Sequence, residues 1–343
     1  MIACRNEKKH IGTFLDSVVS QEMVGIDWEI IVADGMSDDG TAEILREYEK
    51  HCALLRMIPN PGRIVSEGLN AAIMAACGGV IIRMDAHTRY RSDYCRRCLE
   101  TLDETQADNV GGPARTEAKG YLPSAVAAAY HSPFSTGGAG FHNPDREGYV
   151  DTVPYGCWRK ATLIELGLFD PTLVRNQDDE LNLRLLRMGG HIWQSPKIVS
   201  WYSPRSTLSG LFHQYFQYGY WKVAVIRKHV IPGSWRHLVP AAFVIANTLF
   251  LLLQLGGVLS GSGWRLATLK LWLTMALLYS LASLIASLGT ARKRGWTLLP
   301  VLPVVFLAYH ISYGIGFVIG LFSSLAKDTS TIRTESIFSK LTR

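Results

Sequence analysis

Two regimes of hydrophobic patterning divide the chain. Over residues 1–206, short apolar runs alternate with charged stretches, as in a soluble core; over residues 238–325 the chain is mostly apolar with few charges. In the first regime, Glu29-Ile30-Ile31-Val32-Ala33 predicts a buried strand. It ends in Asp34-Gly35 and leads through Ser37-Asp38-Asp39-Gly40-Thr41 into a helical run to Lys50. Leu69 to Cys77 is Ala-rich and helical, Gly79 to Met84 is a second apolar strand ending in Asp85-Ala86-His87, and Val110-Gly111-Gly112 marks a further strand end. Alternating strands and helices predict an α/β sheet. Ligands of such sheets bind beyond the carboxyl ends of the strands, where Asp34 and Asp85 fall. Aspartates there also serve as purely local turn acceptors.

The second regime contains three apolar segments, from about Leu238 to Leu259, Leu266 to Leu288 and Leu298 to Phe322. Each reaches the roughly 20 residues needed to cross a bilayer. The expected organisation is a catalytic-type domain over 1–206, an interfacial region over 207–236, about three transmembrane helices over 237–325 and a basic tail over 326–343. Arg292-Lys293-Arg294, between the second and third segments, belongs on the cytoplasmic side, with the N-terminal domain. Three full crossings then put Lys327, Arg333, Lys340 and Arg343 outside, against the charge rule. The third segment also carries Pro300, Pro303, Gly314, Gly316 and Gly320.

Between the regimes, Leu208, Leu211, Phe212, Tyr215 and Phe216 recur at helical spacing, followed by Tyr218, Tyr220 and Trp221. An aromatic amphipathic helix beside a membrane segment is expected at the interface, with His213 as an interfacial histidine.

The net charge of +6 is bunched beside the apolar segments, which suits an anionic membrane surface and not nucleic acid. Charged residues directly after Cys4 leave no apolar signal segment. The six cysteines show no disulfide spacing, as in a reducing compartment. Cys95 and Cys98 form an isolated C-x-x-C without partners for zinc or redox work.

Asp85-Ala86-His87 is the metal candidate. Side chains two apart in an extended segment point the same way and can reach one ion, and a divalent cation neutralises a departing diphosphate. Further on, Asn176 to Leu185 opens a helix on which Leu181, Leu185 and Met188 share a face with Asp178. The same wheel puts Glu180, Arg184 and Arg187 on the opposite face, with Glu180 paired to Arg184. Asp179 and Glu180 read as dipole partners of the first turn; a carboxylate aimed inward, as Asp178 is, needs a chemical role or a partner.

Taken in order, Ala3-x-Arg5-Asn6-Glu7, Val32-Ala33-Asp34-Gly35-x-Ser37-x-Asp39-Gly40-Thr41, Gly68-Leu69-Asn70, Asp85-Ala86-His87 and Gln177-Asp178-x-Glu180-Leu181-Asn182-x-Arg184 resemble the family 2 glycosyltransferases. The likeness extends to Tyr155-Gly156-Cys157-Trp158-Arg159, Gly167-x-Phe169-Asp170 and Gly189-Gly190-x-Ile192-Trp193, covering nearly all of residues 1–205. The Asp-Ala-His triplet with a C-terminal apolar bundle is most similar to succinoglycan-type exopolysaccharide enzymes.

The resemblance implies a GT-A fold followed by a transmembrane helical bundle. It further implies inverting transfer, Mg²⁺ or Mn²⁺ as cofactor, a nucleotide diphosphate sugar as donor and a lipid-linked saccharide as acceptor. By position it assigns the base to Asp178, metal and diphosphate to Asp85 and His87, and nucleotide-sugar contacts to Ala3, Arg5, Asn6, Glu7, Asp34, Asp39, Arg63 and Asn70. Gly156, Trp158, Gln217 and Trp221 are the acceptor-side candidates. The implied place is the inner membrane, multi-pass, with the catalytic domain in the cytoplasm.

This chain departs from the family pattern in three ways. His87 stands where a second Asp is usual, Gln177 where a Glu precedes the base, and only Met1-Ile2 precede the first motif, so the strand is short or begins upstream. Gln217-x-x-Tyr220-Trp221 resembles the Gln-x-x-Arg-Trp motif of processive synthases without its Arg, which favours non-processive transfer over a processive synthase. A sugar-nucleotide-binding protein without catalysis is the other alternative; Asp34, Asp85 and Asp178 together favour an enzyme. The lack of G-x-G-x-x-G after the first strand argues against a dehydrogenase.

Overall fold

A computed structural model of the protein describes residues 1–260 and 264–326. In chain order the elements are β1 (Ile2–Cys4), α1 (Ile11–Val19), β2 (Ile30–Asp34), α2 (Thr41–His51), β3 (Leu55–Pro59), α3 (Val65–Ala75), β4 (Val80–Ile82), β5 (Thr88–Tyr90), α4 (Tyr94–Thr105), β6 (Asn109–Gly111) and β7 (Arg115–Thr116). There follow α5 (Tyr121–Tyr130), α6 (Pro133–Thr136), β8 (Gly148–Tyr149), β9 (Cys157–Arg159), α7 (Lys160–Glu165), α8 (Gln177–Arg187), β10 (Ile192–Gln194) and β11 (Ser200–Tyr202). The last four helices are α9 (Leu208–His229), α10 (Val239–Ser260), α11 (Trp264–Arg294) and α12 (Leu302–Ala326).

These elements form two compact units. The first comprises Met1–Glu117 and Ala139–Ser203; the second comprises Ala118–Gly138 and the described residues from Pro204 onward. Residues 118–138 thus leave the first unit in the middle of the stretch read as continuous over 1–206. Their helix α5 (YLPSAVAAAY) is rich in small apolar residues and buries Ala125, Val126, Ala128 and Ala129 against Leu302, Val305, Phe306 and Tyr309 of α12.

In the first unit, β1, β2 and β3 pair in parallel, with Cys4 opposite Asp34 and Asp34 opposite Pro59. Every residue of β2 is buried, because helices cover both faces of the sheet. A second sheet runs in the order β4-β9-β6-β10-β8. The backbone of Met1 links the two: its N–H donates to Ile82 O at 2.7 Å, and Met84 N–H donates to Met1 O at 3.0 Å. The chain ends of β1, β2 and β4 therefore open on the same edge, as the α/β reading expects. One core cluster gathers Ile2, Ile11, Leu15, Val32, Leu45 and Cys98; a second gathers Ile31, Leu69, Ile73, Trp158, Phe169 and Leu181.

In the second unit three helices are long and apolar enough to cross a bilayer, over Trp235–Val258, Trp264–Arg294 and Leu302–Leu325. Helices α10 and α11 form an antiparallel hairpin: Phe243 stacks on Tyr279 with ring centroids 4.6 Å apart, Trp272 Nε1–H donates to Asn247 Oδ1 at 3.1 Å, and Gln254 Nε2 donates to Thr268 Oγ1 at 2.7 Å. The tail residues Lys327, Arg333, Lys340 and Arg343 lie outside the described residues.

Candidate active site

The loops after β1 and β2 are stitched into one surface. Asn6, at φ 57°, donates from Nδ2 to Asp38 Oδ1 at 2.9 Å and accepts from Asp38 N–H at 3.0 Å. Asp39 accepts from Thr41 N–H at 3.0 Å, from the Thr41 hydroxyl at 2.5 Å and from Lys8 N–H at 3.1 Å. Glu7 N–H in turn donates to Thr41 Oγ1 at 2.8 Å. Asn6 and Asp39, expected at the nucleotide, thus commit much of their hydrogen-bonding capacity to loop shape. Asp34 accepts from the Ser37 hydroxyl at 2.5 Å and from its N–H at 3.1 Å, the local turn that an aspartate at a strand end favours. Ala3 pairs with Ala33 beneath this surface. Arg5 packs over Gly35, where an added Cβ would lie 2.9 Å from the Arg5 Cβ.

The burial of the Cys4 thiol, together with the carboxylates of Asp34, Glu7, Asp39 and Asp85, pushes its pKa well up. Arg63 lies exposed with φ 60°. Asn70 is engaged by backbone at both ends of its amide, with Nδ2 donating to Phe169 O at 2.7 Å and Oδ1 accepting from Phe169 N–H at 2.9 Å. These bonds tie α3 to the loop after α7, so Asn70 acts as an anchor.

Beyond β4 the chain turns at Ala86-His87, with Thr88 N–H donating to Asp85 O at 3.1 Å. Asp85 Oδ1 accepts from His87 N–H at 2.9 Å and lies 3.4 Å from His87 Nδ1. His87 Nε2 lies 2.6 Å from Glu7 Oε2. Partial burial opposes ionisation of Asp85, but the His87 side chain and N–H and the Arg83 charge outweigh it and hold the carboxyl at about 2. The Asp85 N–H donates to the Tyr90 hydroxyl at 2.8 Å, and Tyr155 hydrogen-bonds Thr88. Burial pushes both phenols well up, so they stay protonated.

Across from this group stands α8. Arg83 Nη1 lies 3.5 Å from Asp178 Oδ2; the Arg83 side chain is 8% exposed and that of Asp178 is 38% exposed. The geometry therefore joins residues 83–87 and 178, which sit on separate segments of the chain. Arg83 was not among the expected site residues, although its two-residue spacing from Asp85 was the signal that could have found it.

Several expectations need correction. Glu180 does not face outward: it is fully buried, with Oε2 2.8 Å from Arg184 Nη2. Arg184 also donates to Leu166 O and Leu168 O, so the loop after α7 covers the face that a single hydrophobic stripe assigns to solvent. Met188 is 59% exposed instead of inward. Trp158 is 1% exposed and packs on Phe169, which removes its ring from acceptor contact. Gly156, at φ 94°, lies so close to that ring that an added Cβ would come within 2.3 Å. Gln217 and Trp221, in the second unit, are 8% and 2% exposed.

The donor set fits a divalent cation of the diphosphate-binding kind. Such ions take one or two carboxylates plus phosphate oxygens instead of an all-protein cage. Among the described residues no group of three or more His, Cys, Asp or Glu side chains is arranged as such a cage. The half-exposed Asp85 carboxylate is the available hard ligand, while His87 is held between Asp85 and Glu7.

Residues 1–143 match the family described as glycosyl transferase family 2. The succinoglycan biosynthesis protein ExoA of Rhizobium meliloti (strain 1021) is 28% identical over 320 residues, 92% of each chain. The dolichyl N-acetyl-alpha-D-glucosaminyl phosphate 3-beta-D-2,3-diacetamido-2,3-dideoxy-beta-D-glucuronosyltransferase of Methanococcus voltae is 27% identical over 336 residues, 96% of this chain and 97% of that one. Among solved structures, the mannosyltransferase PcManGT from Pyrobaculum calidifontis, in complex with GDP-Man and Mn²⁺, superposes with a TM-score of 0.61 at 17% identity, over 94% of this chain and 86% of that chain. With its α/β sheets the chain has a GT-A-like fold, and its residues 1–143 are similar to the glycosyl transferase family 2 domain.

Proposed function

We propose that the protein is a membrane-attached, inverting glycosyltransferase that moves a sugar from a nucleotide diphosphate donor to a lipid-linked saccharide in the building of a surface polysaccharide or related glycan. The observation that carries this reading is the meeting of Asp178 with Arg83 at 3.5 Å, which sets a carboxylate from α8 opposite the Asp85–His87 strand end. An inverting transfer requires two poles, one at the leaving diphosphate and one at the attacking hydroxyl.

At the first pole, Asp85 stays ionised at neutral pH, and the buried Arg83 guanidinium has a donor, Nη1, without a hydrogen-bond acceptor among the described residues. Both suit a polyanionic leaving group. A Mg²⁺ or Mn²⁺ ion bound at Asp85 would neutralise charge on the departing diphosphate. His87, fixed by Glu7, orients Asp85. At the second pole, Asp178 accepts the acceptor hydroxyl's proton as that oxygen bonds to the anomeric carbon and the bond to the diphosphate breaks. The similarity to ExoA and to the Methanococcus voltae transferase supports polysaccharide or glycan assembly. The apolar helices of the second unit support membrane attachment; the reading places the protein at the inner membrane with the N-terminal unit in the cytoplasm.

The test is a screen of radiolabelled nucleotide sugars with membranes carrying the full chain and lipid-diphosphate acceptors. Transfer of label into lipid extract, lost in Asp178→Asn, is the expected result. Donor binding without transfer to any acceptor, unchanged in Asp178→Asn, would instead mark a non-catalytic binding protein.

A further inference from the structure

Helices α9 and α12 run side by side in the same direction. Tyr215 meets Tyr309 with ring centroids 4.3 Å apart. A Cβ added at Gly316 would lie 2.0 Å from Phe216 O, one at Gly219 would lie 2.0 Å from Tyr313 O, and one at Gly320 would lie 2.7 Å from Tyr220 O. Farther along, Arg227 Nη1 donates to Ser324 O at 2.6 Å. Contacts from Tyr215 to Arg227 thus advance with those from Tyr309 to Ser324. Small residues let the two backbones touch along the shared length, so the two helices occupy the same depth relative to any bilayer.

The α10–α11 hairpin is likewise paired from Phe243–Tyr279 to Gln254–Thr268, so its two helices cross a bilayer together or not at all. Either way the chain leaves α11 on the side where it entered α10. If α9 and α12 both crossed, they would then have to be antiparallel. They are parallel and in contact, so neither crosses.

From this we infer that, among the described residues, the protein spans the membrane only by the α10–α11 hairpin, and that α9 and α12 lie together on the anionic lipid surface of the side that carries the N-terminal unit. Burial agrees. Of the α12 stretch, 44% is buried within the protein, against 6% and 11% for the α10 and α11 stretches. The hydropathy of α12 is spent on α5 and α9, whereas Leu251, Leu252, Leu255, Leu271, Leu273 and Leu278 face outward from the hairpin. At about 1.5 Å per residue, 22-residue α10 is long enough for a hydrocarbon core of about 30 Å.

Contacts between α12 and the hairpin lie toward one end of it. Gly314 abuts Pro240 O, Phe317 clusters with Ala241, and His310 Nδ1 lies 3.0 Å from the Tyr279 hydroxyl. Charge agrees as well. Arg227 and Lys228 end α9, Arg236 precedes α10 and Arg292-Lys293-Arg294 end α11, a basic set suited to anionic headgroups. The same arrangement returns the basic tail to the side that the positive-inside rule requires, which three crossings do not.

Sidedness labelling tests this on the full chain in right-side-out and inside-out vesicles with a membrane-impermeant maleimide. Native Cys77, exposed on the N-terminal unit, reports that unit's side. Ser262→Cys and Ser339→Cys, each in a Cys52→Ser, Cys77→Ser background, report the segment between α10 and α11 and the tail. The expected result is that Ser339→Cys reacts in the same vesicles as Cys77, and Ser262→Cys in the opposite ones. Reaction of Ser339→Cys on the side of Ser262→Cys overturns the inference in favour of three crossings. Reaction of Ser262→Cys on the side of Cys77 overturns it by removing the hairpin from the membrane. For a tail thiol that stays silent even in detergent, an epitope after Arg343 digested from one face gives the same two outcomes. None of these readouts depends on transferase activity.

Discussion

Arg83 and Asp178 face one another with Nη1 and Oδ2 3.5 Å apart, and Arg83 is the more deeply buried of the two. A nearly buried guanidinium whose carboxylate partner is half exposed suits the diphosphate of the proposed donor. Arg83→Gln is therefore expected to weaken both donor binding and turnover. Loss of one charge-assisted hydrogen bond is worth about 1.5–3 kcal/mol, roughly ten- to hundredfold in kcat/KM. Steady-state kinetics with varied donor checks this; an unchanged KM and kcat would leave Arg83 a structural residue.

Glu180 and Arg184 form a different kind of pair. Glu180 is fully buried, and Arg184 bridges it to the carbonyls of Leu166 and Leu168. Removing one partner of a buried pair strands the other, at a cost of about 3–5 kcal/mol. Glu180→Ala is expected to lower the unfolding temperature of the detergent-solubilised protein markedly, with activity falling in step with folded fraction. A full-strength fold with selectively lost kcat would instead give Glu180 a place in the chemistry.

That pair also marks a limit of reading the sequence. The strand Ile30–Asp34 was legible because a continuous apolar run is a local property. The wheel that put Glu180 outside assumed that α8 buries one stripe, whereas the loop carrying Leu166 and Leu168 covers a second. Such a partner is invisible in the helix's own residues. The same holds for α9, whose aromatic stripe reads as a lone interfacial helix; its partner α12 lies about a hundred residues on and meets it through glycines that hydropathy ignores. Asn70 shows the converse. Its motif position pointed to the nucleotide, while its amide is consumed by Phe169.

The proposed metal dependence rests on Asp85. Excess chelator is expected to stop donor turnover, and Mg²⁺ or Mn²⁺ to restore it. Asp85→Ala should abolish the restoration, because the diphosphate loses its hard protein ligand. Glu7→Gln should raise the metal concentration required without abolishing activity, since His87 then holds Asp85 less firmly. Metal titrations monitored by donor binding as well as turnover separate these outcomes; full activity in chelator would reduce Asp85-Ala86-His87 to a turn.

The cysteines predict an alkaline limit to stability. Burial pushes Cys95 from 9.0 up to about 12, and burial with the neighbouring Cys157 pushes Cys98 well up. A group whose folded pKa is raised contributes stability that is fully present below its unfolded value and lost as pH climbs toward the folded one. Unfolding midpoints should therefore fall between about pH 9 and about pH 12. The fall should be smaller in Cys95→Ala, after allowance for its packing loss. At neutral pH the exposed Cys77 should react first with a thiol reagent, with Cys4, Cys95, Cys98 and Cys157 silent until denaturant is added.

The assignment of Asp178 as base makes the sharpest demand. The group that takes the acceptor's proton must stand across the sugar from the diphosphate and must come from a different segment than the diphosphate's own ligand. Asp178 comes from such a separate segment: it opens α8 and retains 38% side-chain exposure to reach a ligand. Asp178→Asn keeps the shape and removes the basicity. Turnover should fall by roughly 10²–10⁴-fold, the usual worth of a positioned base, while nucleotide-sugar binding stays near the parent value. The control must be Asp179→Asn, half-buried on the same turn, and not Glu180→Gln, whose buried pair confounds folding with catalysis. A single-turnover assay limited by chemistry decides the matter. Near-full turnover in Asp178→Asn with a loss in Asp179→Asn would move the base by one residue, and loss of donor binding in Asp178→Asn would place the carboxylate at the leaving-group pole instead.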